Sequence, residues 1–282
     1  MKRRTFIAGL GSAAVSALAA QAQQAERVRR IGILLPAAAD DSQYQARVGA
    51  FLEGLGQLGW TIGRNVRIDT RWAGLNADDI RKYAAELVSL APEVILASGN
   101  AVVRALLQAT RIVPIVFVNV TDPVGAGLVD SLARPGGNAT GFMNFEYSIS
   151  GKWLELLKQI APGVTRAAVL RDALGSGQVE FGVIQAAAQS LKVEVSPVNT
   201  SDASEIERAV AAFARAPNGG LIVTTNATTT VHRDLIITLA AQHKLPKVYF
   251  DRFFAAAGAG SQNKRVTCYR NGRRRARHRH DR

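Results

Sequence analysis

Short apolar runs alternate along this chain with longer stretches in which apolar positions recur every three or four residues. The first run, VRRIGILL over residues 28–35, reads as a buried strand closed by Pro36. Over residues 41–58, Val48, Phe51, Leu52, Leu55 and Leu58 fall on one helical face. Residues 65–72 alternate as a strand, and residues 77–90 read as a helix with Asn76 as its N-cap. VILAS at 94–98 is a third strand, followed by Gly99, Asn100 and a helix to about residue 109. VPIVFVNV at 113–120 is a fourth strand, and a short helix is predicted at 126–132. RPGGN at 134–138 is turn chemistry, and 139–145 a fifth strand.

The pattern then restarts. A helix over 151–160 stops at Ala161, Pro162 and Gly163. Strands at 166–172, 193–199, 220–226 and 247–251 alternate with helices at 178–191, 203–216 and 229–243. Ser201 and Glu205 flank one helix start as a cap and a first-turn acid. Strands separated by helices of this length imply parallel βαβ units. Two such sets, broken near residues 147–152, predict an α/β chain of two doubly wound domains.

In open parallel sheets, ligands bind beyond the carboxyl ends of the strands. That rule nominates Pro36 and Ala37 after the first strand, and Ser98, Gly99 and Asn100 after the third. It adds Asn119, Thr121 and Asp122 after the fourth. In the second half it nominates Asp172, Asn226, Thr228 and Asp251. These are small or neutral polar groups with three acids, a set suited to hydrogen-bonding an organic solute. Each also has a purely structural reading: Asn100 and Thr228 as helix caps, and Asp122 with Pro123 as a turn.

Charge changes the picture less than its total suggests. The 282 residues carry a formal +13. Lys2, Arg3 and Arg4 supply three of these charges and the last 25 residues a net eight, which leaves the body near neutrality, without a general attraction for polyanions. The single cysteine, Cys268, lies in the tail, so the body has no disulfide, thiol nucleophile or cysteine zinc site. Catalytic signatures are missing too. There is no G-x-x-x-x-G-K-[ST] loop and no G-x-S-x-G elbow. His232 and His243 sit eleven apart on one predicted helix, too far for a local metal pair, and His232 reads as a helix-surface residue. The adjacent acids Asp40–Asp41 and Asp78–Asp79 stand at helix starts, where they favour the dipole. No enzyme activity, metal or cofactor is expected.

The first 22 residues read as an export signal. A basic start containing Arg3 and Arg4 precedes an apolar stretch and a small-x-small site at Ala20-Gln21-Ala22. The Arg3-Arg4-Thr5-Phe6-Ile7 run resembles a twin-arginine signal. The exported chain is then expected to begin near Gln23 and to be soluble in the periplasm.

Several motifs together resemble the ABC-transporter substrate-binding family associated with tryptophan or tyrosine uptake. They are VTDPVGAGLV (120–129), RPGGNATG (134–141), GKWLELLKQIAPGVTRAAVLRD (151–172), GGLIVTTNATTTVHRDLI and LPKVYFDRFFAAAG. The likeness runs from about Arg27 to Gly258. It implies a type I periplasmic-binding-protein-like fold with two Rossmann-like lobes joined by a hinge: a first lobe over 23–146 and a second over 147–257. It also implies capture of a small solute by lobe closure, delivery to an ABC permease in the inner membrane, and no nucleic acid partner; a monomer is expected. Relatives that hold aromatic amino acids place an acid in the second-lobe loop against the ligand's amino group. The matching position here is the neutral Asn226, which lacks the charge for that contact. Asp122 or Asp251 are left to supply it, or the solute is a different, neutral one. The fold also serves as a ligand-sensing module in signalling systems, the alternative reading.

Residues 258–282 break the resemblance. They hold eight Arg against one Lys and show no apolar periodicity, so a basic, disordered tail is expected. This skew is what GC-rich coding sequence gives out of frame, and a frameshift near codon 258 is the expected origin. The rival reading is a basic arm for nucleic acid or anionic surfaces, with binding that weakens in salt; Tyr269 alone offers no stacking pattern. A chain cut short in this way exposes sheet edges and is expected to be less stable, or to be a non-functional product. Sequencing the genomic locus tests this: one uninterrupted frame through codon 282 removes the frameshift reading.

Overall fold

The computed structural model describes residues 28–173 and 175–257, and the backbone of Val266–Cys268. Residues 1–22, read as the export signal, lie outside the described residues, as does most of the tail.

The first lobe is built from β1 (Arg29–Leu35), α1 (Ser42–Gln57), β2 (Val66–Trp72), α2 (Ala77–Ser89), β3 (Val94–Ser98), α3 (Asn100–Ala109), β4 (Ile115–Val120) and β5 (Ala139–Met143). Its sheet has the order β2-β1-β3-β4-β5, every pair parallel. The second lobe holds α4 (Ser150–Ile160), β6 (Arg166–Arg171), α5 (Ser176–Leu191), β7 (Glu194–Asn199), α6 (Ala203–Ala214), β8 (Gly219–Val223), α7 (Ala227–Val231), α8 (Arg233–Gln242), β9 (Lys247–Tyr249) and α9 (Arg252–Ala257). Its sheet runs β10-β9-β8-β6-β7, again parallel, with β10 formed by Val266–Cys268. A three-residue strand therefore stands inside the tail expected to lack regular structure: its backbone finds open hydrogen-bonding groups on the edge of β9.

Central strands carry the cores. Ile33, Leu34, Ile95 and Ala97 are fully buried in the first lobe, and Ala167, Ala168, Val169 and Leu170 in the second. Strands covered on both faces read as continuous apolar runs rather than alternating ones, which is how β3 and β6 stand out in the sequence. Trp153 and Leu157 of α4 seat the second lobe's core, with Phe145 from the connecting segment meeting the Trp153 ring edge-on at 5.4 Å.

Helix starts follow the expected chemistry with one correction. Asn76 caps α2, accepting from the Asp78 and Asp79 N–H groups, and both acids lie in the first turn. For α6 the cap is Asp202 rather than Ser201, because its Oδ1 reaches the Ser204 and Glu205 N–H groups. The short helix expected at 126–132 is a series of turns. Its bonds from Ala126 N–H to Asp122 O and from Leu128 N–H to Pro123 O go no further, and Gly127 sits at φ 66°, a backbone conformation that ends a helical turn. The helix expected at 229–243 is two helices with a break at His232 (φ −89°, ψ 17°). Three consecutive threonines, Thr228 to Thr230, bond their hydroxyls locally to the 224–226 loop or the preceding turn and favour a short first segment. His232 is thus half-buried at a helix junction, not on a helix surface.

One buried group works against the fold. Lys247, at the start of β9, is 1% exposed, and its Nζ has no hydrogen-bond partner; burial pushes its ammonium below the usual lysine range. An unpaired buried cation costs stability. Lys247→Met, which keeps the volume and drops the charge, is expected to stabilise the chain by about 1–3 kcal/mol. A thermal melt checks this, and an unchanged or lowered midpoint counts against it.

Candidate functional site

The carboxyl edges of the two sheets approach each other where Arg233 reaches Asp41 and Ser42 and Val231 joins the Ile33–Ala37–Tyr44 cluster, and the chain passes from the first lobe to the second between β5 and α4. Asp122 organises that crossing. Its N–H donates to Phe145 O, while its carboxylate accepts from the Gly125 N–H at 2.7 Å and the Tyr147 N–H at 3.2 Å. A φ of 43° at Asp122 and 54° at Asn119 gives the loop after β4 its sharp course; Asn and Asp tolerate this region better than most residues.

The other first-lobe candidates stand with Asp122 at the carboxyl edge of the first sheet. Gly99 at φ 86° lets the chain pass from β3 into α3 without strain. Asn100 does not cap that helix. Its side chain instead bonds both ways with the Thr121 backbone, donating to the carbonyl at 2.7 Å and accepting from the N–H at 2.9 Å, which ties the loops after β3 and β4 together. Ser98 Oγ accepts from Asn119 at 3.1 Å. Pro36 is buried, and Ala37 packs with Ile33, Leu35 and Tyr44, so these two shape the floor and present no polar side chain.

In the second lobe Asn226 caps α7. Its Oδ1 accepts from the Thr229 N–H at 2.7 Å and from the Thr228 hydroxyl at 2.6 Å, and its amide donates to Thr224 Oγ1. The Thr228 hydroxyl also meets that of Thr200 at 2.5 Å. Asp251 accepts from the Phe253 N–H at 3.2 Å. Asp172 accepts from the Gly177 N–H at 2.7 Å, while burial pushes its carboxyl above the usual range. All twelve candidates therefore lie at the carboxyl edges, in the last residues of a strand, the loop after it or the first turn of the next helix, and much of their polar capacity goes into shaping those edges.

Two groups escaped the sequence reading. Glu180 is fully buried on α5. Cβ atoms on a helix lean toward its N-terminus, so the carboxyl reaches back to the carboxyl edge, where Oε2 accepts from the Thr225 N–H at 2.9 Å. Oε1 has no partner. Burial pushes this carboxyl well above its usual value, and Asp172 adds to the effect. Nearby Tyr147 is pushed up to about 12 by burial, with Glu180 and Asp122 adding to the shift. Glu180 stands in the second turn of a helix after Gln178 and Val179, and no spacing rule marks such an acid as buried.

The second group bridges the lobes. Arg233 on α8 reaches Asp41 Oδ2 at 3.3 Å and donates to Ser42 Oγ at 2.9 Å. Both charged side chains are about nine-tenths buried, at 11% and 9% exposure. Asp41 was expected only at a helix start, and it does cap α1 through the Tyr44 N–H; its second oxygen serves the other lobe. Val231 packs beside this pair against the Ile33–Ala37–Tyr44 cluster, and Arg47 lies between the Tyr44 and Phe253 rings. No group of histidine, cysteine and acidic side chains among the described residues has metal-binding geometry, and no described helix is long and apolar enough to cross a membrane. A concave region lined by Val164, Asn218, Gly219 and Leu245 lies at the amino ends of the second sheet, away from the cleft.

Two parallel lobes of this topology, hinged beside a carboxyl-edge cleft, define a periplasmic-binding-protein-like chain. The model of the family described as ABC transporter substrate binding protein matches residues 31–262, and the chain belongs to that family. A tyrosine-binding protein of Clostridioides difficile (strain R20291) is 27% identical over 216 residues, 74% of this chain; the match spans 60% of that protein's length. Among solved structures, a conserved domain protein from Vibrio cholerae superposes with a TM-score of 0.71 at 22% identity, covering 86% of this chain and 90% of that one. A domain solved in complex with L-Trp, from Streptococcus pneumonia, gives 0.69 at 18% identity, covering 86% and 89%. At these identities the structures speak for the fold.

The buried carboxyl makes stability depend on pH with a defined sign. The folded pKa of Glu180 lies above its ordinary 4.5, so its contribution is fully present below that pH and is lost as pH rises through the folded value. Against Glu180→Gln, which retains an acceptor for the Thr225 N–H, the wild-type chain is expected to lose stability over that rise. Parallel melts across the range measure the difference; one independent of pH contradicts the assignment.

Proposed function

We propose that this chain is the solute-capturing receptor of an ABC importer, exported to the periplasm and acting as a monomer. A small organic solute, of the amino-acid or aromatic class, enters the cleft between the lobes. It is bound and released unchanged, and the closed form delivers it to an inner-membrane permease. The solute class is suggested by the relatives named for tyrosine and solved with L-Trp.

The observation that carries this reading is the contact between the lobes. The Asp41–Arg233 pair joins the loop after β1 to α8, at the mouth of the cleft where the candidate loops converge. A buried ion pair gains little net energy over its hydrated partners, so it can hold the lobes together without locking them. A solute touching both faces then tips the balance toward the closed state. Ser98, Asn100, Asn119 and Thr121 on one side, with Asp172, Asn226, Thr228 and Asp251 on the other, are the groups proposed to line that state, over a floor shaped by Pro36, Ala37 and Gly99 and beside Asp122.

A thermal melt of the exported chain from residue 23, with each of a panel of amino acids and small aromatic acids, tests the function. A ligand that binds only the folded form raises the midpoint by mass action. A cooperative melt moved by at least one compound supports a receptor, whereas a cooperative melt moved by none argues against this solute class. Arg233→Ala is expected to weaken that compound's binding by roughly tenfold, by lowering the closed population. It should also enlarge the radius of gyration of the free protein in small-angle scattering; unchanged affinity and radius together would exclude the latch.

A further inference from the structure

We propose that Arg47 is a positioning residue for solute capture: it clamps α9 of the second lobe to the first, so that lobe closure and the ordering of α9 are one event. The proposal rests on the receptor reading and names the element of the second lobe that closure grips.

The clamp begins in local helix geometry. Tyr44 and Arg47 stand three apart on α1 and so share a face. The Arg47 guanidinium lies over the Tyr44 ring, 4.9 Å from its centroid, and over the Phe253 ring at 5.7 Å. Both distances fall where a cation is drawn to the face of a ring. No carboxylate among the described residues pairs with Arg47, so its charge is met by a ring from each lobe. A planar, weakly hydrated guanidinium suits such a place better than an ammonium does.

On the other side, α9 needs the hold. A helix of six residues is too short to persist by itself, and its order comes from what its side chains reach. Successive side chains on a helix point about 100° apart, so Phe253 and Phe254 serve different neighbours. Phe254 is fully buried in its own lobe, stacked on Tyr249 at 4.8 Å with the planes 15° apart. Phe253 is only partly buried; it stacks on Phe254 at 4.7 Å and meets Arg47 of the first lobe. One anchor of α9 is therefore permanent, and the other exists only while the lobes are together.

The clamp also touches the carboxyl edge of the first sheet. Tyr44 is buried, and its hydroxyl bonds with the Ser98 side chain. Ser98 Oγ in turn accepts from Asn119 at 3.1 Å. Ser98 and Asn119 are both candidate solute contacts. A solute seated against them fixes Tyr44, and Tyr44 sets where Arg47 can lie. Removing the guanidinium loosens α9, although some two hundred positions of sequence separate the two.

Hydrogen–deuterium exchange on the full exported chain tests this, read at the amides of α9 with α4 as the control. Arg47→Met keeps the side-chain stem and drops the charge, Arg47→Lys keeps a cation, and Phe253→Leu removes the ring. Arg47→Met is expected to speed exchange in α9 about fivefold, the worth of one cation–ring contact, and to leave α4 unchanged. Arg47→Lys should recover part of the protection. Phe253→Leu should show the faster exchange already, and adding Arg47→Met to it should change nothing further. Calorimetric titration with L-tyrosine then reads capture: the affinity of Arg47→Met should fall about fivefold, and L-tyrosine should slow α9 exchange in the wild type more than in this variant. Unchanged exchange in α9 of a folded Arg47→Met overturns the clamp. So does an equal rise in α4, or additive effects in the double variant. Loosened α9 with undiminished L-tyrosine affinity overturns the role in capture. If Arg47→Met fails to fold, Phe253→Leu with and without Arg47→Lys decides by the same criteria. If L-tyrosine binds no form, the solute class is at fault, and exchange in the free protein still decides the clamp.

Discussion

Parallel pairing is the constraint on which the rest of this molecule depends. When every strand in a sheet runs the same way, every strand ends at the same edge, and each return crossing must pass over a face of the sheet, usually as a helix. The carboxyl edge then collects all the loops that follow strands, and helix starts gather there with their unpaired N–H groups. In this chain the constraint operates twice. Pro36, Ser98, Asn119 and Asp122 come together from positions spread over more than eighty residues, and Asp172, Asn226 and Asp251 do so in the second lobe. The core strands make this possible by being apolar on both faces, with helices such as α4, carrying Trp153 and Leu157, covering them.

The same geometry leaves few polar atoms idle. Asn100 links two loops, Asp122 holds the crossing and Asn226 caps α7. These bonds stiffen the carboxyl edges of both lobes. The contacts that bridge the lobes, Arg233 to Asp41 and Ser42 with Val231 beside them, are few and partly polar.

Glu180 stands apart from this economy. Its carboxyl gives one oxygen to the Thr225 N–H and holds the other in a buried position without a partner, beside a second acid. Lys247 is another unpartnered buried ionisable group with a perturbed titration, but it lies at the start of β9, remote from the carboxyl edge. The two differ in place: one stands at the carboxyl edge beside a second acid, the other at the opposite end of its sheet.

Periodicity in the sequence settled the fold, the order of its elements and the loops that form the rim. Apolar runs such as 94–98 and 166–171 and the caps at Asn76 follow from local rules of burial and backbone bonding. Local rules failed where neighbours compete: Asp202 displaced Ser201 as cap, Gly127 stopped a helix at one turn, and three threonines split another at His232. Asp41 and Arg233, 192 positions apart in sequence, could be paired only by folding, because each alone satisfies a local role. Whether Glu180 faces water or a sealed interior depends on which loop folds over the start of α5. Burial sets the cost of a charge, and burial is a property of packed neighbours, so the environment of Glu180 was decided in three dimensions while the strands and the loops that follow them were already written along the chain.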